Sequence, residues 1–191
     1  MEERILFINT GGTIDAQEYP DPNNPPDVTL PLDNCNSLVF STIKSFPKGD
    51  LVDAFQWGLN EHFLKDSKQF TEDDIAALTE IILKTEHRLI VLSHGTDAMI
   101  SNANKLKALL GDCNKVVVFT GAIVPLSMNY KFKSGGVDAL GFVLENIEGK
   151  NCGVYIAARG KDQRLSFFTT EKIDKDFETS REKLSFTIKQ R

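Results

Sequence analysis

The chain has 191 residues, 41% of them hydrophobic and 26% charged, which is the composition of an ordinary globular domain with a sizeable core. Its 27 acidic and 22 basic residues give a formal net charge of −5, which argues against a nucleic-acid-binding surface. Its apolar runs are strand-sized and its first residues lack the pattern of a signal peptide. We therefore expect a cytoplasmic protein with no membrane or nucleic-acid partner.

The cysteines support the same compartment. Cys35, Cys113 and Cys152 are odd in number and lack CxxC spacing, so neither a disulfide framework nor a metal site is expected. A reduced, cytoplasmic environment is the simplest interpretation.

In chain order, the first predicted elements are a strand, a long loop, a helix and a strand. Residues 4–9 (RILFIN) form a short apolar run that stops at two glycines, which is typical of a buried parallel strand. Residues 15–33 are rich in proline, and loops of this length are often functional lids. A helix is then predicted over 34–46 and a strand over 51–57.

The rest of the chain continues the alternation. Thr71 begins a helix with an acidic first turn. The apolar face of this helix comprises Ile75, Leu78 and Ile82. A second helix is predicted after Asp97, and its apolar face comprises Met99, Ala103, Leu106 and Leu110. The remaining predicted elements are strands over 88–93, 115–120, 153–158 and 165–170, and a helix that starts at Ser134 with Val137, Leu140, Leu144 and Ile147 inward.

Alternating strands and helices predict right-handed crossovers and a mostly parallel sheet with helices on both faces. The fold class is therefore α/β, doubly wound, of the Rossmann or flavodoxin type, with residues 1–191 as a single domain. In such sheets ligands bind beyond the carboxyl ends of the strands.

Polar turns follow the predicted strands at that edge. The first strand runs into Thr10-Gly-Gly-Thr13, the strand over 88–93 into His94-Gly-Thr-Asp97, and the strand over 115–120 into Gly121. Two glycine turns with hydroxyls and a carboxylate are more polar structure than packing requires.

Each of these features also has a structural interpretation when taken alone. Thr13 could cap a helix, Thr96 or Asp97 could cap the helix that follows, and His94 could be a satisfied core histidine. Lys115 could be a solvent-facing charge. A Gly-Gly turn can also cradle a phosphate, but the known nucleotide-binding motifs are absent.

The combination favours acyl transfer. A threonine hydroxyl is a poor nucleophile at neutral pH and needs a base, and a lysine with a lowered pKa can supply one. Thr96 could relay the proton or orient water, and Asp97 could accept an ammonium group of the substrate. Backbone N–H groups of a glycine turn can form an oxyanion hole.

These residues resemble a known family. TGGTI at Thr10 to Ile14 and HGTDA at His94 to Ala98 resemble the two signature motifs of the bacterial L-asparaginase/glutaminase family. The segment 114–122 (NKVVVFTGA) is similar to that family's lysine-bearing strand, and Asp66-Ser67 to its substrate-carboxylate loop. The resemblance runs from the first strand to about residue 177.

The resemblance implies hydrolysis of asparagine, or a related amide of the asparagine or glutamine class, to the acid and ammonia without metal or organic cofactor. Under it, Thr13 is the nucleophile, supported by Thr96, Asp97 and Lys115. The implied substrate-binding residues are Gly12, Gly95, Ser67, Lys68, Asp97 and the lid residue Tyr19.

The chain also departs from the family pattern. Ala98 follows Asp97 where a threonine is usual, and Asp15 stands where a small residue is common. Lys68 replaces a polar neutral residue, and a lysine there could strengthen carboxylate binding or change substrate choice.

The length is the largest departure, because the family has a smaller C-terminal domain that completes the neighbouring subunit's site, and this chain stops near the link to it. Two main functions therefore stay open: an amidohydrolase, or an amino-acid-binding or regulatory module with weak or no catalysis. A phosphate or nucleotide binder that uses the Gly-Gly turn is a third alternative. A homodimer or higher homo-oligomer is expected because the surface facing the second domain would be apolar.

Overall fold

The computed structural model describes residues 2–16, 37–56, 65–128, 134–160 and 162–173. Within these ranges a six-stranded sheet lies between helices, as predicted. The strands are β1 (Ile5–Asn9), β2 (Val52–Gln56), β3 (Leu89–Ser93), β4 (Val116–Thr120), β5 (Gly153–Arg159) and β6 (Leu165–Thr169). The helices are α1 (Leu38–Lys44), α2 (Glu72–Lys84), α3 (Met99–Leu110) and α4 (Gly135–Asn146). Nearly all of the predicted lid loop, including Tyr19, lies outside the described residues.

The strand order determines where the ligand crevice lies. The order is β2-β1-β3-β4-β5-β6, with β1 to β5 parallel and β6 antiparallel to β5. The chain adds β2 on one side of β1 and then adds β3, β4 and β5 on the other side of β1. The switch point, where the strand order reverses, therefore lies between β1 and β3. Asn9 pairs with Ser93, and Ser93 with Thr120, so the three strands end at the same level.

Two apolar layers cover the sheet. The α2 and α3 side is filled by the residues predicted for it, including Ile75, Leu78 and Leu106, all fully buried. On the other side α1 and α4 contribute Val39 and Leu140 among others. None of the helices in the described part of the chain is long and apolar enough to span a bilayer.

The four crossovers do not share one hand. The β3–α3–β4 and β4–α4–β5 connections step in the same direction along the sheet. However, α3 and α4 cover opposite faces, so the two connections have opposite hands. The connections through α1, α2 and α3 share one hand, and parallel units are almost always right-handed. The connection through α4 is therefore left-handed, and the prediction of right-handed crossovers is wrong there.

This left-handed connection brings the chain after β4 back over the end of β1. Ser127 Oγ donates a hydrogen bond to the carbonyl oxygen of Ala16 at 2.8 Å. Ile14 and Leu126 are buried in the same apolar cluster. Residues 121–128 thus pack against the turn that contains Thr13.

The start of α2 is fixed by the capping box predicted at Thr71. Its hydroxyl accepts a hydrogen bond from the N–H of Asp74 at 3.2 Å, and the carboxylate of Asp74 accepts one from the N–H of Thr71 at 2.8 Å. Lys65 Nζ adds an ion pair to the same carboxylate at 2.7 Å. The short 3₁₀ turn Ser67–Gln69 lies between these anchors, so its position is defined on both sides.

Candidate functional site

Three turns make close contact at the switch point. Gly12 has φ +84°, and a Cβ added there would overlap the backbone nitrogen of Gly95. A Cβ added to Gly95 would lie only 2.8 Å from the side chain of Ser67. Both positions therefore need glycine, one for its backbone angle and both for lack of space. The turns after β1 and β3 and the 3₁₀ turn at Ser67 are packed backbone against backbone.

A buried chain of hydrogen bonds holds these turns together. Thr10 Oγ1 donates to the carbonyl oxygen of Ser93 at 2.5 Å and lies 2.8 Å from His94 Nδ1. Asn102 Nδ2, on α3, lies 2.9 Å from His94 Nε2 and donates to the carbonyl oxygen of Ser67 at 3.0 Å. The chain crosses from β1 through β3 to the Ser67 turn. Thr10 therefore holds the turn, as its position before Gly-Gly suggests.

His94 is neutral in this network. Asn102 can only donate to Nε2, and the Thr10 hydroxyl gives its proton to Ser93, so Nδ1 carries the ring hydrogen. The ring is fully buried and lies edge-on to Phe70 and Phe119. Burial lowers the pKa of His94 to about 3. The structural interpretation of His94 is the correct one, and the ring is not available as a base.

A second buried network lies beneath the turn after β1. Asn9 Oδ1 accepts from Ser93 Oγ at 2.6 Å and from the N–H of Gly11 at 3.1 Å. Asn9 Nδ2 donates to Asp15 Oδ2 at 2.6 Å, and Ser37 Oγ donates to the same oxygen at 2.8 Å. Burial raises the pKa of the Asp15 carboxyl, against the opposing effect of these hydrogen bonds. Asp15, noted as a departure from the family pattern, ties the turn to the start of α1.

The remaining predicted site residues lie in the turns that these two networks hold. Thr13 begins a 3₁₀ turn at the end of β1, and Thr13 and Thr96 are both partly exposed. Asp97 pairs with Lys68 across the gap between the two loops, with 2.5 Å between Oδ2 and Nζ. Ser67 is buried, and its Oγ accepts a hydrogen bond from the N–H of Ala98 at 3.0 Å. No described residue accepts the hydroxyl proton of Ser67, so it can be donated to a ligand.

Ser67 also replaces the expected helix cap. Thr96 and Asp97 were candidates to cap α3, but the residue before the helix is Ala98, with no side-chain cap of its own. Ser67 Oγ accepts a hydrogen bond from the N–H of Ala98 instead. Thr96 and Asp97 are therefore not used as caps.

Lys115 does not belong to this site, and its prediction as the base is wrong. It precedes β4, at the amino edge of the sheet, whereas Thr13 follows the carboxyl end of β1. A five-residue strand separates the two edges by about 17 Å. Lys115 Nζ donates to the carbonyl oxygens of Thr85 and His87 at 2.6 and 2.9 Å. The lysine therefore anchors the connection between α2 and β3.

Asn102 is the site residue that sequence reasoning missed. It lies three residues after Met99 on the face of α3 that also carries Leu106, and it is buried. An amide on an apolar helix face needs a partner, since an unsatisfied buried polar group costs about 1–3 kcal/mol. An asparagine on the apolar face of a predicted helix was the sequence feature that could have identified Asn102. Within the described ranges, no group of three or more His, Cys, Asp or Glu is placed to hold a metal.

A family of known proteins matches most of the chain. Residues 4–161 match the family model described as Asparaginase, N-terminal. The chain belongs to this family. The matched span includes both glycine turns and the Ser67 turn of this asparaginase-family domain. Among curated proteins, none matches the chain.

Solved structures show the same fold. L-asparaginase I from Vibrio cholerae O1 biovar eltor str. N16961 is 20% identical, with TM-score 0.62, over 87% of this chain and 51% of that one. The probable cytoplasmic L-asparaginase from Campylobacter jejuni is 22% identical, with TM-score 0.64, over 89% and 48%. The thermostable L-asparaginase from Thermococcus kodakarensis is 17% identical, with TM-score 0.55, over 80% and 43%. The asparaginase-family domain thus spans about half the length of these structures.

The contact between turns predicts a large difference between two glycine substitutions. Gly95→Ala is expected to reduce the free energy of unfolding by about 1–3 kcal/mol, because the new methyl overlaps Ser67. Gly149→Ala is the matched control, since a Cβ there meets nothing within 4 Å, and its effect should stay within about 0.5 kcal/mol. Urea denaturation measures both. Equal effects of the two changes would contradict the close packing.

The neutral state of His94 predicts acid sensitivity. The pKa of His94 is about 3 in the folded state, below the ordinary histidine value of 6.5, so the unfolded chain binds more protons between these two pH values. Stability should therefore fall as pH drops below about 6.5, by at most about 1.4 kcal/mol per pH unit from this one group. His94→Gln removes the titrating ring, so its stability should decline less steeply.

Urea denaturation of wild type and His94→Gln at several pH values from 7.5 to 4.5 measures this difference. Asp15 acts in the opposite direction because its pKa is raised, but it is present in both proteins and cancels in the comparison. Parallel curves for the two proteins would show that His94 does not titrate as described.

Proposed function

We propose that this domain binds a small amide that carries a carboxylate, of the asparagine or glutamine class, and hydrolyses its side-chain amide with Thr13 as the nucleophile. The observation that supports this most strongly is the contact of three turns at the switch point. It gathers the segments that carry Thr13, Asp97 and Ser67 at one edge of the sheet. Membership of the asparaginase family supports the same class of reaction.

Each side chain has a distinct part in the proposal. Thr13 Oγ1 attacks the amide carbon, ammonia leaves, and water then cleaves the resulting ester to the acid. The hydroxyl of Ser67 donates to the substrate carboxylate. Backbone N–H groups of the turns at Gly12 and Gly95 stabilise the oxyanion, as glycine turns do in acyl-transfer enzymes. Thr96 orients the water.

None of Lys115, His94 and Asp97 is placed to act as the base. Lys115 is at the opposite edge, His94 is buried and fully hydrogen-bonded, and Asp97 is ion-paired with Lys68. The proposal therefore requires a base other than these three residues.

A second candidate function follows from the position of Lys115 at the opposite edge of the sheet. A threonine without a base is a weak nucleophile. The position of Lys115 therefore favours a module that binds the amino acid or its amide with little turnover.

Two substitutions separate these possibilities. Thr13→Ala is expected to reduce ammonia release from asparagine or glutamine by roughly a thousandfold or more, because the attacking oxygen is removed. Lys115→Met should leave turnover unchanged while lowering stability by about 1–3 kcal/mol, because it leaves two carbonyl oxygens without their donor. Ammonia release and urea denaturation of both variants provide the measurement.

Three results would count against the proposal. Equal turnover by wild type and Thr13→Ala would exclude Thr13 as the nucleophile. Loss of turnover in a folded Lys115→Met variant would contradict the placement of this lysine. Binding of asparagine in calorimetry with no ammonia released would favour the binding module.

We also propose that the domain forms a homodimer or a higher homo-oligomer. Leu83 and Leu109 are about half exposed and lie together in a groove between α2 and α3 that Glu80 and Lys84 also line, and we propose that a second copy of the chain covers the two leucines. Analytical ultracentrifugation at micromolar concentration should detect the oligomer, and Leu83→Lys should shift it toward monomer. A monomer at all concentrations would contradict this.

A further inference from the structure

We propose that Lys68 is a specificity-determining residue, which neutralises Asp97 and directs the site toward amides that carry a carboxylate but no ammonium group. Such compounds are monoamides of dicarboxylic acids. This inference rests on the proposed function, because it names the substrate class for the same site.

The argument begins with the position of the ion pair. Lys68 follows Ser67 in the 3₁₀ turn, and Asp97 lies in the turn after β3. The two turns are in contact through Gly95 and Ser67, so Lys68 and Asp97 face each other across the site. Their charged atoms are 2.5 Å apart. The ammonium group of Lys68 therefore occupies the side of Asp97 that faces the other turn.

The second step concerns charge. Asp97 is the carboxylate described at this site to which a substrate ammonium would bind. With Lys68 beside it, the net charge of the pair is zero. A zwitterionic ligand must either displace Lys68 from Asp97 or hold its own ammonium group next to that of Lys68. A ligand without an ammonium group leaves the pair intact.

The third step concerns the carboxylate of the ligand. A lysine ammonium has three donors, so Lys68 can keep Asp97 as a partner and still donate to a second anion. The hydroxyl proton of the neighbouring Ser67 is available to the same anion, since no described residue accepts it. Lys68 and Ser67 together thus form a site for a carboxylate.

The exposure of the two side chains indicates that the Lys68–Asp97 pair affects the choice between ligands more than the stability of the domain. The Lys68 side chain is 67% exposed, whereas that of Asp97 is 24% exposed. A pair of this kind contributes little to stability, so its replacement should not unfold the domain. Its effect is expected in the relative affinity for ligands with and without an ammonium group.

The test compares asparagine with succinamic acid, which is asparagine without its amino group. Each compound is assayed for ammonia release and for binding by calorimetry, with wild type, Lys68→Gln and Lys105→Gln. Lys105 is the matched control, because it forms a surface ion pair with Glu72 at 2.5 Å and neither residue is assigned to the site.

We expect wild type to prefer succinamic acid. Lys68→Gln should shift the ratio toward asparagine by about fivefold, the size expected for loss of one partly exposed pair, and Lys105→Gln should leave the ratio unchanged. An unchanged ratio in Lys68→Gln, or a wild-type preference for asparagine, overturns the inference.

The two readouts distinguish this inference from the proposed function. Turnover with an unchanged ratio in Lys68→Gln means that the role of Lys68 is wrong while hydrolysis stands. A shifted binding ratio without ammonia release means that hydrolysis is wrong while Lys68 selects the ligand. Binding of neither compound overturns the inference.

Discussion

The site depends on one backbone contact, between Gly12 at the end of β1 and Gly95 at the end of β3. Neighbouring parallel strands normally diverge into loops with side chains between them. Here two glycines remove that spacing, and a third segment, at Ser67, packs against them. The buried chain from Thr10 through His94 to Asn102 keeps the contact in place, because each of its polar groups is satisfied only in this arrangement. Rigid turns at a switch point are what a small-molecule site requires.

The left-handed connection through α4 supplies another side of the same site. A right-handed path would carry the chain after β4 over the other face of the sheet, away from α1. The observed path brings Ser127 to the carbonyl of Ala16 and Leu126 to the cluster that contains Ile14. The turn with Thr13 is thus supported from two sides. An uncommon crossover at the edge that carries the candidate site is consistent with a fold that gives up a local preference to position that site.

Much of the fold follows from local pattern. Short apolar runs predicted the strands, and the spacing of residues such as Ile75, Leu78 and Ile82 predicted buried helix faces. The turns at Gly12 and Gly95 were also found from the sequence, because glycines and hydroxyls follow successive strands. Lys115 was misplaced for a specific reason. It was assigned as the base because its strand resembles the family's lysine-bearing strand, although a residue that precedes a parallel strand lies at the amino edge, opposite the edge where Thr13 lies.

The sequence by itself determined the alternation of strands and helices, the doubly wound class and the convergence of two glycine turns at one edge, because these follow from periodicities of a few residues and from the polarity of parallel strands. Only the tertiary structure decided the hand of the α4 connection, the pairing of Lys68 with Asp97 and the burial of His94 against Asn102. Those features depend on which face a helix covers and on contacts between residues about 8 to 29 positions apart in the chain. Local propensity carries no information about the face that a helix covers or about contacts between distant residues, since packing of the whole domain determines them.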